Sequence, residues 1–436
     1  MKLTIIGTGY VGLTTGTCLA ELGHTVTCVD NDPSKLELLK EGKSPIYEPG
    51  LEELIIKNKA SGRLSFTDDI ATAVKVAEVI FICVNTPPKE DGQADLQYVE
   101  KVSRQIAQNI TTDYKVIVDK STVPVRTAEK VQETISKYGI KDAVFDVVSN
   151  PEFLREGSAV KDTLEPDRIV IGVDTDKARR VMLQVYQPII EKTNAPVKIT
   201  SVKSAELIKH GANTFLAMKI SFANLIAQTC ETVGANALEV LEAIGLDERI
   251  GSQFLKPGIG FGGSCFPKDI AAFKKTLEVL DIDSTLVSAV QDINDRAIKS
   301  FIKKIEKELW ALDGKTLGVC GLAFKPDTDD VRNAPALIII KELASLGAKI
   351  KAYDPQAMAN AQKSLGNEKI TYCQTPYETA TGCDALIFCT EWKEFSALDL
   401  EKLKKLLATP LIFDGRNIFD PAVMYHHGFN YISIGR

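Results

Sequence analysis

The residues most suited to chemistry lie in one run, Gly260-Phe261-Gly262-Gly263-Ser264-Cys265-Phe266-Pro267-Lys268-Asp269. Its glycines leave the backbone room for a close ligand. Pro267 suits the first position of a helix. That sets Cys265 just before the helix's positive end, where the field favours thiolate, the nucleophilic form. Lys268 adds to that field, and Asp269 is suited to orient a water or a lysine. The competing reading is a buried, inert thiol, the commoner state of free cysteine.

A second constellation opens the chain. Gly7-Thr8-Gly9-Tyr10-Val11-Gly12 follows a β-branched run and precedes a helical one. In this strand–turn–helix setting the first glycine permits the tight turn, the second lets the backbone approach a pyrophosphate, and the third packs helix on strand. The phosphates meet the positive helix end. The next strand ends in Asp30, eighteen positions after Gly12, with no arginine beside it. A carboxylate there accepts from a ribose diol and repels a 2′-phosphate, so the expected cofactor is NAD rather than NADP. Lys35 reaches the adenosine end or belongs to a solvated helix face. A thiol beside an NAD site has one distinctive use: it traps an aldehyde as a thiohemiacetal, from which a second hydride leaves to give a thioester.

Three further groups are candidates. Lys209 and Asn213, four apart in a helical stretch, share one face; they form a solvated surface or jointly hold an oxyanion or water. Asn150-Pro151-Glu152-Phe153-Leu154-Arg155-Glu156-Gly157 follows a strand, and ligand crevices of open α/β sheets lie at such carboxyl ends. Glu152 and Glu156 are candidates there, as is Thr122 in Lys120-Ser121-Thr122-Val123-Pro124.

The elements that must position these residues follow from periodicity. Strands are expected at Lys2 to Ile6, Thr25 to Asp30, Val79 to Val84, Lys115 to Asp119, Phe145 to Ser149 and Arg168 to Val173. Such near-continuous apolar runs suit a parallel sheet covered on both faces. Ser201 to about Leu246 and Val287 to Leu312 read as long helices. Strands return at Thr316 to Gly321, Lys349 to Tyr353, Ala385 to Thr390, Leu411 to Asp414 and Tyr431 to Ile434. The expected architecture is α/β: two Rossmann-like doubly wound domains, 1–200 and 313–436, joined by a helical connector, 201–312.

Bulk properties exclude several classes. At 436 residues the chain exceeds one hydrophobic core, and its net charge of −6 gives no basic surface for nucleic acid. No apolar run approaches a membrane span, and the N-terminus runs straight into a strand, so the cytoplasm is the expected compartment. Nine cysteines without repeated spacing, including Cys28, Cys83, Cys320 and Cys389 in strand-like runs, fit reduced buried thiols. The four histidines form no metal-ligand spacing, and no metal is expected.

Taken together, the chain resembles the UDP-glucose/GDP-mannose dehydrogenase family essentially end to end. The likeness runs through the glycine turn, Asn85-Thr86-Pro87, Ser121-Thr122-Val123-Pro124, the loop from Asn150 and the cysteine loop. It continues through Phe324-Lys325-Pro326-Asp327-Thr328-Asp329-Asp330-Val331-Arg332 and Asp414-Gly415-Arg416-Asn417. The resemblance implies oxidation of UDP-glucose at C6 to UDP-glucuronate with two NAD. Cys265 would attack the aldehyde, Lys209 with Asn213 would stabilise the oxyanion, Asp269 would assist water-dependent steps, and Glu152 would be the base for thioester hydrolysis. Thr122 would help to hold the water. It further implies NAD contacts at Tyr10, Val11, Asp30, Lys35, Thr86, Thr122, Glu156, Lys268 and Arg332. Sugar-nucleotide contacts would fall at Glu152, Phe153, Leu154, Arg155, Lys209, Asn213, Phe254, Leu255, Lys256, Pro257, Gly258, Gly262 and Lys325. Arg249 would reach the neighbouring subunit's substrate, implying a homodimer. The rivals are the same chemistry on GDP-mannose or a UDP-N-acetylhexosamine, and a single-hydride dehydrogenase, which would not need Cys265.

Overall fold

A computed structural model describes residues 1–89 and 92–436. The chain packs into two compact units, residues 1–212 with 271–280, and residues 213–270 with 281–436. Each is built on a sheet whose strands are parallel, apart from one pair in the first.

The first unit holds eight strands: β1 (Lys2–Ile6), β2 (Thr25–Val29), β3 (Leu64–Thr67), β4 (Val79–Ile82), β5 (Lys115–Asp119), β6 (Phe145–Ser149), β7 (Ile169–Gly172) and β8 (Val197–Thr200). Their order is β3-β2-β1-β4-β5-β6-β7-β8. All pairs are parallel except β6 with β7. The central strands β4 and β5 are buried along their whole length, as a sheet covered on both faces requires. One face packs Leu13, Leu19 and Met182 against Ile5 and Phe81; the other packs Ile106, Val131 and Ile135 against Ile80 and Ile117.

The second unit holds β9 (Thr316–Cys320), β10 (Lys349–Tyr353), β11 (Ile370–Tyr372), β12 (Ala385–Phe388), β13 (Leu411–Asp414) and β14 (Asn430–Ile432), ordered β11-β10-β9-β12-β13-β14 and all parallel. In both sheets the chain starts in the middle, builds outward, then crosses back to the other side of its first strand. That reversal creates a crevice at the strands' carboxyl ends, the usual ligand position in such folds. The two doubly wound sheets match the expected class. The helices between them are Val202–Val233, Ala237–Gly245, Phe266–Val279 and Thr285–Leu309. No helix among the described residues is long and apolar enough to cross a membrane.

Candidate active site

In the first unit the turn after β1 separates three glycines by what each is for. A Cβ on Gly7, at φ +101°, would lie 2.7 Å from the Cys83 carbonyl oxygen, and one on Gly12 would lie 1.9 Å from that of Gly7. Both are demanded by the protein's own packing. Gly9 is extended, at φ −77° and ψ −171°, and a Cβ there would meet only Asn85 Oδ1 at 3.9 Å. What a side chain at Gly9 would obstruct is therefore an incoming ligand. Tyr10 and Val11 begin the helix Tyr10–Glu21, whose N-terminus has no side-chain cap among the described residues and suits an anion. Asp30, just past β2, accepts from the Thr8 N–H (2.7 Å), the Thr8 hydroxyl (2.6 Å) and the Asp32 N–H (3.0 Å). Burial alone would raise its pKa; these hydrogen bonds and the Lys35 charge outweigh it and hold the carboxyl below its ordinary value. A fixed carboxylate beside an open glycine turn fits the ribose and pyrophosphate of NAD.

The loops after β4, β5 and β6 carry the next candidates. Thr86 is buried, and its hydroxyl donates to the Thr122 carbonyl at 2.9 Å. Glu152 and Lys209 form an ion pair of 2.9 Å with both side chains 5% exposed. The other Glu152 oxygen accepts the Leu154 N–H at 2.7 Å. Phe153 lies beneath the Arg168 guanidinium, 3.8 Å from the ring centroid, with the Lys209 ammonium at 5.5 Å. Glu156, three residues after Phe153, is half-buried. Arg155, expected at the substrate, has its guanidinium held by both Asp162 oxygens (2.6 and 3.0 Å).

In the second unit Cys265 immediately precedes the helix Phe266–Val279, and its carbonyl accepts the first helical bond from Asp269 at 2.8 Å. Pro267 is that helix's second residue, not its first, and the thiol still sits at the positive end. Among the described residues Cys265 alone of the nine cysteines is not buried. Burial pushes the Cys18, Cys83 and Cys389 thiols up to about 12, so they stay protonated. The cysteine loop is tightly seated: a Cβ on Gly262 would lie 2.2 Å from the Asn333 carbonyl oxygen, and one on Gly263 would lie 2.8 Å from the Phe324 ring. The Gly263 N–H donates to the Arg332 carbonyl at 2.9 Å. One turn along, Asp269 is buried, accepts from the Asn213 amide at 2.6 Å and has Lys268 Nζ at 3.4 Å. Lys209 and Asn213 are thus both buried, which removes the solvated-face reading.

The remaining expected contacts take varied positions. Phe254 adopts φ +65°, Leu255 and Pro257 are buried, Lys256 is exposed, and the Gly258 N–H donates to Asn224 at 2.8 Å. Lys325 lies over its neighbour Phe324, 5.5 Å from the centroid, and Arg332 forks onto Asp330 at 2.7 and 2.8 Å. Arg249 is fully exposed and forks onto Asp247.

Three residues went unassigned from sequence. Arg416, past β13, donates to the Cys389 carbonyl at 3.0 Å and closes on Gly258, where a Cβ would lie 3.1 Å from its guanidinium. Glu206 accepts from the Arg126 and Ala128 N–H groups at 2.7 and 2.9 Å. His210 Nε2 meets the Val123 carbonyl at 2.8 Å. The available signal was the spacing Glu206, Lys209, His210, Asn213, which puts four polar residues on one helix face.

Residues 1–190, 203–296 and 318–421 match the NAD binding, central and UDP binding domains of the UDP-glucose/GDP-mannose dehydrogenase family. The chain is 48% identical to UDP-glucose 6-dehydrogenase of Rhizobium meliloti (strain 1021), covering all of both chains. It is 47% identical to UDP-glucose 6-dehydrogenase TuaD of Bacillus subtilis (strain 168), covering all of this chain and 93% of that one. A solved UDP-glucose dehydrogenase from Pyrobaculum islandicum superposes with a TM-score of 0.92 at 38% identity, over 99% of this chain and 96% of that one.

Proposed function

The chain belongs to the UDP-glucose/GDP-mannose dehydrogenase family of NAD-binding oxidoreductases, and from that premise we propose that it oxidises UDP-glucose at C6 to UDP-glucuronate. The observation that carries the chemistry is Cys265, the accessible thiol at a helix N-terminus. NAD, when bound, takes up one hydride in each of two oxidations.

The roles of the side chains follow from what they can donate or accept. Lys209 and the Asn213 amide hold the C6 oxygen as negative charge develops on it. The Cys265 sulfur adds to the aldehyde carbon, forming C–S while the oxygen takes a proton. Loss of a hydride from carbon and a proton from oxygen then gives the thioester. Water adds to that carbonyl, C–S breaks, and the acid and the thiol are released. Glu152 uses both oxygens inside the protein, each with a lone pair remaining, so it can take the water's proton while ion-paired. Thr122 and Asp269 orient the water.

Helix Val202–Val233 exposes Leu207, Phe215, Phe222 and Leu225 along one stripe, Phe215 to 57%. An apolar stripe of that length supports a homodimer, in which the exposed Arg249 would reach the second subunit's substrate. Nine free cysteines support a reducing compartment, the cytoplasm.

The test is Cys265→Ser. Wild type should yield two NADH per UDP-glucose; the serine variant should bind NAD and sugar nucleotide yet release no UDP-glucuronate. A folded variant making UDP-glucuronate at the wild-type rate would end this mechanism.

A further inference from the structure

Helix Val202–Val233 begins with its amphipathicity reversed. Leu207 and Phe215 are exposed, while Glu206, Lys209, His210 and Asn213 are buried. A polar residue is buried at a cost unless it holds something. Lys209 holds Glu152 and Asn213 holds Asp269, both already placed in the chemistry. His210, 2% exposed, does neither.

Its Nε2 lies 2.8 Å from the Val123 carbonyl oxygen. A carbonyl only accepts, so Nε2 carries the proton. The ring is fixed from the side by Phe273, stacked at 14° with centroids 6.0 Å apart. The preceding carbonyl, that of Thr122, is held by the Thr86 hydroxyl. Two successive carbonyls are therefore pinned by donors from different elements, which fixes the peptide plane on each side of Val123 and restrains the backbone that carries Thr122. Glu206, one turn before His210, grips the same segment farther along through the Arg126 and Ala128 N–H groups. Arg126 is held there at φ +76°.

We propose that His210 is a positioning residue for the hydrolytic half of the reaction: by pinning the Val123 carbonyl it aims Thr122 at the water that cleaves the Cys265 thioester. The proposal rests on the thioester reading above. In that step the water oxygen bonds to the acyl carbon, C–S breaks, one water proton passes to Glu152, and sulfur leaves as thiolate. No oxidant or reductant is consumed. Losing His210 should leave both hydride transfers intact and slow this step.

The experiment compares wild type, His210→Phe, His210→Gln and His210→Leu in single turnovers with UDP-glucose and NAD. NADH is followed by absorbance, and the acid-quenched protein is weighed by mass spectrometry. Phenylalanine keeps a ring and removes the donor, leucine removes both ring and donor, and glutamine restores an N–H. The Phe and Leu variants should release two NADH at the wild-type rate and then accumulate acyl-enzyme, hydrolysing it about tenfold more slowly; glutamine should recover most of that rate. Folded Phe or Leu variants that hydrolyse the acyl-enzyme as fast as wild type would overturn the proposal. Equal slowing of both hydride transfers would also overturn it, by making His210 merely structural. Failure of the thioester reading looks different: wild type and every variant would lack acyl-enzyme, while Cys265→Ser would still make product.

Discussion

Replacing Gly9 by alanine separates the needs of a ligand from those of the fold. At φ −77° and ψ −171° the backbone of Gly9 is open to any L-residue, and an added Cβ comes no closer than 3.9 Å to the protein. Alanine there limits the unfolded chain's freedom without strain, which stabilises by about 0.4–1 kcal/mol. For a unit of this size the midpoint should rise by roughly 1–4 °C. A bound dinucleotide, however, brings its pyrophosphate against this backbone. A methyl pressed into a filled contact costs about 1–3 kcal/mol, or roughly five- to 150-fold in affinity. Gly12→Ala supplies the contrast, since its Cβ would lie 1.9 Å from the Gly7 carbonyl oxygen and the turn itself must break. Thermal melts with NADH titrations followed by fluorescence decide between them. Gly9→Ala should melt at or slightly above wild type and bind NADH weakly, whereas Gly12→Ala should be unstable. A stable Gly9→Ala protein with unchanged NADH affinity would refute this placement of the cofactor.

Wild type should prefer NAD over NADP, and Asp30→Ala should erode that preference at least about tenfold, because the carboxylate no longer faces the 2′-phosphate; comparable kcat/KM for both cofactors in wild type would remove that role from Asp30. Burial, then the Glu206 charge, lifts the Asp119 carboxyl to about 8 against the Ser121 N–H, whereas in the unfolded chain it titrates near about 4. Its stabilising contribution is therefore complete below about pH 4 and is lost as pH rises to about 8. Asp119→Asn should flatten that fall, by up to ~4 kcal/mol between pH 5 and 8; parallel urea-stability profiles would count against it. Phe215→Glu with Phe222→Glu should give a monomer by light scattering, and a fully active wild-type monomer at micromolar concentration would exclude an obligatory dimer.

Legibility of the sequence tracked burial. Strands β1, β5, β6 and β13 were readable to the residue because each centres on a compact β-branched or aromatic run, and β10 because its buried residues alternate with lysines. The short strands β3, β8 and β11 were missed: none is fully buried, and β8 and β11 have no fully buried residue to mark a core face. β14 begins at Asn430, one residue before the expected start. The glycine turn and the cysteine loop were readable because their chemistry is local, carried by residue types at fixed spacing. His210 and Glu206 were not, since their partners, Val123, Arg126 and Ala128, lie some eighty residues away in the chain. From sequence alone such a polar stripe is indistinguishable from a solvated face. Arg416 sat within a recognisable motif, but its nearness to Gly258 exists only once β13 is placed.

The two sheets open alike and diverge after their first turn. Past β1, Gly7 turns at φ +101° and donates to Val29; past β9, Gly321 turns at φ +91° and donates to Tyr353, each at 2.8 Å. An aspartate closes the second strand in both, Asp30 past β2 and Asp354 past β10. Asp30 is half-buried and accepts three donors. Asp354 is 1% exposed, with the Leu322 and Ala323 N–H groups and the Trp392 indole on one oxygen and the Gln356 and Ala357 N–H groups on the other. A carboxylate offers about four lone-pair sites, so Asp354 has none left for a ribose diol. The helix also starts late: Tyr10 comes almost at once after Gly7, whereas the helix after Gly321 waits until Pro335. A dinucleotide seated as in the first unit would find neither a ribose acceptor nor a helix N-terminus. The segment 322–334 stands in that place instead. A domain with this start and this loop does not suit a dinucleotide seated on a glycine turn, in keeping with the match of residues 318–421 to a UDP binding domain.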